Sequence, residues 1–530
     1  MARTYCGCLA PGRLQFTRRQ YGSVLNLRWD ALVPPPASSA PLRIAVVMPL
    51  ANADIDAPKR LSFLSGSQTK DIEDGYVGVK TPELGDGALR EGGMPVLTSK
   101  DNIGLLFQYA VVGLVYGLLP ETIYPFMQNY LNCSGAQVAS AQQLVVLPWS
   151  FKVFYGILSD CRPIFGYRRR PYMLIGWGVC FIMLLVMCIM PIGKPYFLVS
   201  ADRDITVADY TPEIEARINH SAPDEGAKYV MIMFFAAVGY VLSDVCADSI
   251  TCELAQREPI DKRGKTQSCI YTVRTAMVIF GEILVGFFFN GEEYGGDFDF
   301  SLSFPQLMII VTVLTLPVFP MTWFFIHEEK APATNFRAYI SDFWNLLCSR
   351  AMYQIVAYLF FAGIFANITY TGSTPVASYM VGVTPINSTL SDILSNLLFA
   401  AGIMITSKWG LHWNWRWMIP FATSLTLAID GPFNVTNERV QADTHSVRTD
   451  ITWTIIIMYA MTIFSWVFLF LLPPQKAETQ ALVRKGGHSK LIGGLTAFYL
   501  IFAIIWSIMT NIMAMFDSTS CLIIAGGTGC

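Results

Sequence analysis

Long apolar segments alternate with short polar loops from about residue 101 to residue 516. Each apolar segment contains roughly 20 residues, the length at which an α-helix crosses the hydrocarbon core of a bilayer. The pattern predicts an all-α, polytopic membrane protein with about 11 transmembrane helices. The apolar segments are 103–125, 137–158, 172–192, 229–251, 268–290, 304–326, 351–371, 389–407, 417–432, 451–472 and 491–516.

The polar segments divide the chain into domains. We predict a disordered cytoplasmic tail at 1–100, an N-terminal six-helix bundle at 101–326, a cytoplasmic linker at 327–350, a C-terminal bundle at 351–516 and a short tail at 517–530. The first 50 residues contain six arginines and one acid. A mitochondrial-type targeting peptide and a plain unstructured extension both have such a composition, so both stay open.

Composition supports the membrane assignment and excludes some functions. Of the residues, 53% are apolar and 14% are charged, whereas soluble domains contain about a quarter charged residues. The net charge of −2 gives no sign of a nucleic-acid partner. All five histidines lie outside the apolar segments, and we expect neither a metal nor a cofactor.

Basic residues set the orientation of the helices. With the N-terminus inside, the inside loops carry 17 Lys and Arg and the outside loops carry 6, as the positive-inside rule requires. Acceptor sites for N-glycosylation agree, because four Asn-x-Ser/Thr motifs fall in predicted outside loops. These candidates are Asn132, Asn219, Asn387 and Asn434.

Ionisable residues inside the predicted spans are candidates for substrate or proton coupling, because charge in a bilayer is costly. Asp244 and Asp248 lie one turn apart on one face of the fourth span. They form either a structural ion pair with Arg274 or a transport site, and both stay open. Lys152 either snorkels to the inner interface or is itself a coupling residue. Glu282 lies near the middle of the fifth span and needs a partner or a proton.

The loop between the second and third spans is a candidate inner gate. Asp160 follows Gly156 by four residues, and a run of basic residues, Arg168, Arg169 and Arg170, precedes the third span. The charges either only set topology or close the inner face in one conformation.

Several motifs together resemble the folate-biopterin transporter family, a branch of the major facilitator superfamily. The resemblance extends from about Leu97 to Gly431. It rests on Pro148-Trp149, Lys152, Gly156, Ser159-Asp160, Pro163-Ile164, Gly166-Tyr167, Arg168-Arg169-Arg170, the segment from Ser243 to Glu258 with its Asp-x-x-x-Asp pattern and Glu253, Gln267-Ser268 and Arg274.

The resemblance implies a two-bundle architecture of the major facilitator type. It also implies a secondary carrier, monomeric and proton-driven, for folates, pterins or related metabolites by alternating access. Some relatives are thought to carry S-adenosylmethionine, so another small metabolite stays open as the substrate. We expect an integral, multi-pass protein of the plasma membrane, with an organelle membrane as the alternative. A membrane enzyme is not expected, because no histidine lies inside a span to act as a base.

The chain departs from the resemblance after Gly431. Relatives carry about two more spans there, whereas this sequence passes through a polar stretch into a late apolar segment. The C-terminal bundle is therefore expected to be incomplete. A degenerate, non-transporting paralogue stays open for this reason.

Overall fold

The computed structural model describes residues 88, 90, 92–205, 209–259, 261–368, 385–441, 445–525 and 529. Most of the predicted N-terminal tail lies outside these residues. Within the described residues the chain is helical, with isolated β-bridges but no strand. Helices suit a chain in lipid, because each satisfies its backbone hydrogen bonds internally.

The N-terminal half contains the first six apolar segments. Pro148 and Pro317 stand where two of these segments are broken into two helices each, since proline removes a backbone donor and interrupts the hydrogen-bond ladder. The helices are α1 (Ile103–Glu121), α2 (Gly135–Val146), α3 (Lys152–Cys161), α4 (Arg170–Ile189), α5 (Gly226–Ala255), α6 (Lys265–Phe288), α7 (Phe304–Thr315) and α8 (Val318–Phe324), with a π-helical turn at Tyr124–Tyr130 and a 3-10 turn at Leu147–Phe151.

The C-terminal half follows a linker that itself contains a helix. That linker helix, α9, begins after Asn335, whose side chain accepts a hydrogen bond from the backbone N–H of Arg337. The helices are α9 (Phe336–Leu347), α10 (Arg350–Ala366), α11 (Pro385–Lys408), α12 (Trp415–Gln441), α13 (His445–Phe464), α14 (Lys476–Lys485) and α15 (Lys490–Met515), with a 3-10 turn at Ser465–Leu471.

The all-helical, multi-span prediction is confirmed. Each of the 11 apolar segments overlaps a helix in the described part of the chain. Among the described residues, eight helices are long and apolar enough to cross a membrane. The seventh and tenth segments correspond to shorter apolar helices, Arg350–Ala366 and Ile456–Leu471.

One predicted loop is wrong. The stretch after the ninth apolar segment, 433–450, was expected to be a polar outside loop, but α12 continues to Gln441 and α13 begins at His445. Residues 433–441 contain neither glycine nor proline. Glu, Arg and Gln among them favour helix, so polarity alone does not end α12.

Buried apolar residues form several clusters. The largest runs through 111–318, includes Val112, Phe126 and Met233, and also contains Met515 of α15. Smaller clusters lie at 346–356 and 358–472. Helix α6 packs along α11, and α2 contacts α15, so these two pairs connect the halves.

Glycines allow α1 and α6 to pack closely. A Cβ on Gly113 would lie 2.3 Å from the backbone oxygen of Arg274, and one on Gly117 would lie 2.5 Å from that of Val278. Both distances are far below a normal contact. The Gly-x-x-x-Gly spacing thus brings two backbones together, as small residues do between membrane helices.

We expect Gly113→Ala to destabilise the protein by about 1–3 kcal/mol, because the added methyl group forces α1 and α6 apart. Gly178→Ala is the matched control. Among the described residues nothing lies within 4 Å of a Cβ at Gly178, and alanine favours helix over glycine by up to about 1 kcal/mol. Thermal unfolding of the purified proteins in detergent measures both. Equal melting temperatures for the two variants would contradict the close approach.

Candidate functional site

A buried ionic cluster joins α3 and α5. Nζ of Lys152 lies 2.6 Å from Oδ2 of Asp244 and 2.7 Å from Oδ2 of Asp248. The exposed fractions of these residues are 4%, 0% and 8%. One ammonium group therefore bridges two carboxylates away from the surface.

Local sequence explains how the cluster forms. Asp244 and Asp248 are four residues apart on α5, so both carboxylates lie on one face. Pro148 interrupts the second span, and Lys152 is the first residue of α3 after the resulting 3-10 turn. Lys152 does not snorkel to an interface in this structure, because its ammonium group is held by the aspartates.

Hydrogen bonds complete part of the cluster. The hydroxyl of Tyr109 on α1 donates to Oδ1 of Asp248 at 2.6 Å and lies 3.0 Å from Oγ1 of Thr251. Oδ1 of Asp244 is buried and has no hydrogen-bond partner among the described residues. Tyr109 is not among the candidates predicted from the sequence, because a tyrosine in an apolar segment is not distinctive until its neighbours are known.

Arg274 lies beside the cluster but contacts aromatic rings. Its guanidinium carbon is 4.5 Å from the ring centroid of Tyr271 and 5.7 Å from that of Trp149. Within the described part of the chain, no carboxylate oxygen lies within 4.0 Å of the Arg274 side chain. The expected direct pair between Arg274 and an aspartate is therefore not formed, and Lys152 takes that place.

Glu282 faces the other half of the chain. Nδ2 of Asn396 on α11 donates to Oε1 of Glu282 at 2.6 Å, and both residues are 3% exposed. Asn396 was missed in the sequence, although a polar residue in the middle of the eighth apolar segment was a usable signal. Glu282 thus lies at the packing surface between α6 and α11.

At the end of the helices that is predicted to lie inside, Asp160 pairs with the arginine loop and with the linker helix. The side chain of Arg169 donates to Oδ1 of Asp160 and, at 2.6 Å, to Oγ of Ser159. Arg168 lies 4.0 Å from Asp160. Tyr339 on α9 donates from its hydroxyl to Oδ2 of Asp160 at 3.2 Å. Burial by itself lowers the pKa of the Arg169 guanidinium. The charge of the adjacent Asp160 carboxylate raises that pKa by more than burial lowers it, so the net shift is upward.

Glu328 holds the N-terminus of α4, a contact that the sequence did not indicate. Its carboxylate accepts hydrogen bonds from the backbone N–H groups of Arg168, Arg169 and Arg170 at 2.7–2.8 Å. A helix N-terminus presents unsatisfied N–H groups and a partial positive charge, so a carboxylate is favourable there. Arg170 also stacks 4.9 Å from the ring centroid of Trp323.

Backbone geometry explains the glycine in the inner turn. Gly156 is buried, and its carbonyl accepts a hydrogen bond from the hydroxyl of Ser159. Gly166 has a φ of +83°, which lies in the region that favours glycine. The turn between α3 and α4 is tight enough to bring Asp160 and Arg169 together.

The four glycosylation candidates lie in different settings. Asn132 and Asn219 lie in loops at one end of the helices, and Nδ2 of Asn219 donates to the backbone oxygen of Lys194 at 2.9 Å. Asn387 lies in the first turn of α11 and is exposed. Asn434 lies within α12, so the expected loop setting is wrong for it. Glycosylation itself stays a prediction.

We expect Asp160→Asn to lower transport several-fold while expression is retained, because the amide removes the charge that orders Arg169. Tyr339→Phe is the matched control, since it removes only the hydrogen bond from the linker helix. Initial uptake rates at equal surface expression measure both. Uptake by Asp160→Asn at the parent rate would assign the arginine loop to topology alone.

Among the described residues, no group of three or more His, Cys, Asp or Glu is arranged to hold a metal ion. The absence of a cofactor stays a prediction.

The repeated apolar helices define an integral, multi-pass membrane protein. The BT1 family matches residues 112–203, a stretch that holds Lys152, Asp160 and the arginine loop. The resemblance to the folate-biopterin transporter family is thereby confirmed.

Three curated relatives match parts of the chain. The folate-biopterin transporter of Synechocystis sp. is 23% identical over 259 residues, which are 49% of this chain and 44% of that protein. Folate transporter 1 of Plasmodium falciparum is 36% identical over 63 residues, 12% of each chain. Probable folate-biopterin transporter 4 of Arabidopsis thaliana is 25% identical over 209 residues, 39% of this chain and 34% of that protein. The chain thus spans less than half the length of each of these relatives.

A solved structure is also similar. The crystal structure of a D-xylose-proton symporter matches with a TM-score of 0.40 and 14% identity, over 80% of this chain and 93% of the symporter.

Proposed function

We propose that this protein is a secondary active transporter of folates, pterins or related small metabolites, coupled to protons and working by alternating access. The observation that carries the proposal is the cluster of Lys152, Asp244 and Asp248, with Arg274 beside it, all buried within apolar helices. The names of the matched relatives supply the substrate class.

Energetics favour a functional role for the cluster. Each charged group in a bilayer costs at least about 2.5 kcal/mol on insertion scales, and replacing a buried ion pair with apolar side chains is often neutral or stabilising. Stability alone therefore does not require these residues. A site that binds charge during transport does require them.

The arrangement of the halves suits alternating access. Residues 101–326 and 351–516 would act as two bundles joined by the linker at 327–350, with substrate bound near the middle of the membrane between them. The packing of α6 on α11 and of α2 on α15 gives the surfaces that would open and close.

Glu282 is the proposed proton-coupling residue. It lies where α6 meets α11 and is hydrogen-bonded to Asn396 across that surface. A change in its protonation would alter a contact between the halves. Protonation of Glu282 would thereby shift the equilibrium between the inward-open and outward-open conformations.

Uptake by cells or vesicles that contain the full chain tests the proposal. Labelled folate, biopterin and S-adenosylmethionine are supplied with and without an inward proton gradient, and cells with the Asp244→Asn variant give the background. Gradient-stimulated uptake of folate or biopterin above that background is the expected result. Uptake of S-adenosylmethionine alone would replace the substrate class. No uptake of any compound by correctly inserted protein would favour the degenerate paralogue.

A further inference from the structure

Among the described residues, one cation next to the cluster, Arg274, has no carboxylate in direct contact, although the charges of Asp244 and Asp248 act on it from a greater distance. Lys152 already serves both aspartates, and Tyr109 donates to Asp248. Arg274 instead faces two aromatic rings, with no carboxylate within 4.0 Å among the described residues. Aromatic faces attract a cation only weakly and leave the donors of a guanidinium group unused.

The surroundings of Arg274 are aromatic and extend to the other half of the chain. Tyr271, one turn before it on α6, packs against Phe399 and Ile403 of α11, which belongs to the other half. Trp149 lies near both cations, with Nζ of Lys152 4.6 Å and the guanidinium carbon of Arg274 5.7 Å from its ring centroid. Arg274 therefore lies beside two aromatic rings, close to the surface where the two halves pack. It is only 5% exposed.

We propose that Arg274, between the rings of Tyr271 and Trp149, binds the carboxylate group of an aromatic organic anion. The planar guanidinium group matches a carboxylate with two parallel hydrogen bonds, which a lysine cannot reproduce. The neighbouring rings give an aromatic substrate faces on which to pack. The inference rests on the proposed function and narrows its substrate class to carboxylates.

Matched pairs of ligands test the carboxylate directly. Pterin-6-carboxylate is compared with 6-hydroxymethylpterin, and 4-aminobenzoate with 4-aminobenzamide, by equilibrium binding to the purified full chain in lipid nanodiscs. The parent should bind the carboxylate of at least one pair about 10- to 100-fold more tightly, the range expected for hydrogen bonds to a charged group.

Variants show whether Arg274 carries that preference. Arg274→Gln should remove the preference, and Arg274→Lys should retain only part of it. Arg337→Gln on the exposed face of α9 is the control and should keep the full preference. A thermal unfolding scan reports whether each variant is folded.

The outcomes separate this inference from the proposed function. A carboxylate preference that survives Arg274→Gln, or no preference in either pair, overturns the inference. If pterins are transported without such a preference, the proposed function stands and the inference fails. If only the benzoate pair shows an Arg274-dependent preference, the inference stands and the pterin substrate class fails.

Discussion

Replacing Lys152 with methionine is expected to abolish transport and to destabilise the protein by about 3–5 kcal/mol. The ammonium group of Lys152 is the shared partner of Asp244 and Asp248. Without it, two nearby carboxylates stay buried with no basic group in contact, or must take up protons to remain there. Both outcomes remove the charge arrangement of the site.

Two comparisons make this result specific. Lys228→Met removes an exposed lysine that pairs with Glu225 three residues earlier on the outer side, and such pairs contribute at most about 1 kcal/mol. The triple variant Lys152→Met, Asp244→Asn, Asp248→Asn removes the bridged charges but leaves Arg274 charged, so it should recover part of the lost stability and none of the transport. Thermal unfolding in detergent and uptake assays measure each protein. A Lys152→Met protein that unfolds and transports like the parent would show that the bridge has no role.

Glu282→Gln is expected to leave substrate exchange intact and to eliminate concentrative uptake driven by an inward proton gradient. Glutamine keeps the shape of the side chain and an oxygen that accepts the hydrogen bond from Asn396. It cannot ionise, so the contact between α6 and α11 no longer responds to protons. Arg274 lies eight residues away on the same helix, about 12 Å of rise, and so cannot compensate for a charge on Glu282.

Counterflow and pH-jump uptake in the same vesicles separate exchange from coupling. Glu292→Gln, in an exposed loop after α6, is the control and should respond to the gradient like the parent. If the Glu282→Gln protein still concentrates substrate when the pH gradient is imposed, another group carries the proton. If it loses exchange as well, Glu282 is needed for the conformational change itself.

The candidate inner gate illustrates how much can be predicted from local sequence. Asp160 and the arginine loop are close in sequence and joined by a tight turn, so their proximity follows from the chain itself. Glu328 and Tyr339 lie roughly 160–180 residues further on. Their contacts with this loop depend on how α8 and α9 fold back, which no local pattern encodes.

The ionic cluster shows the same limit inside the membrane. The spacing of Asp244 and Asp248 placed them on one face, and the cost of charge in lipid marked each ionisable residue as a candidate. The sequence suggested Arg274 as their partner, because it was the basic residue predicted to lie deep within the following span. Helix packing brought Lys152 to the aspartates and left Arg274 among aromatic rings.

The sequence by itself determined the helical, multi-span character of this protein, because apolar length and the exclusion of unsatisfied backbone from lipid leave few alternatives. It also determined which ionisable residues lie within the spans. Only the tertiary structure decided their partners: Tyr109 for Asp248, Asn396 for Glu282 and Tyr339 for Asp160. Those partners come from other helices, and the rotation and crossing of helices depend on side-chain packing along their whole length rather than on periodicity.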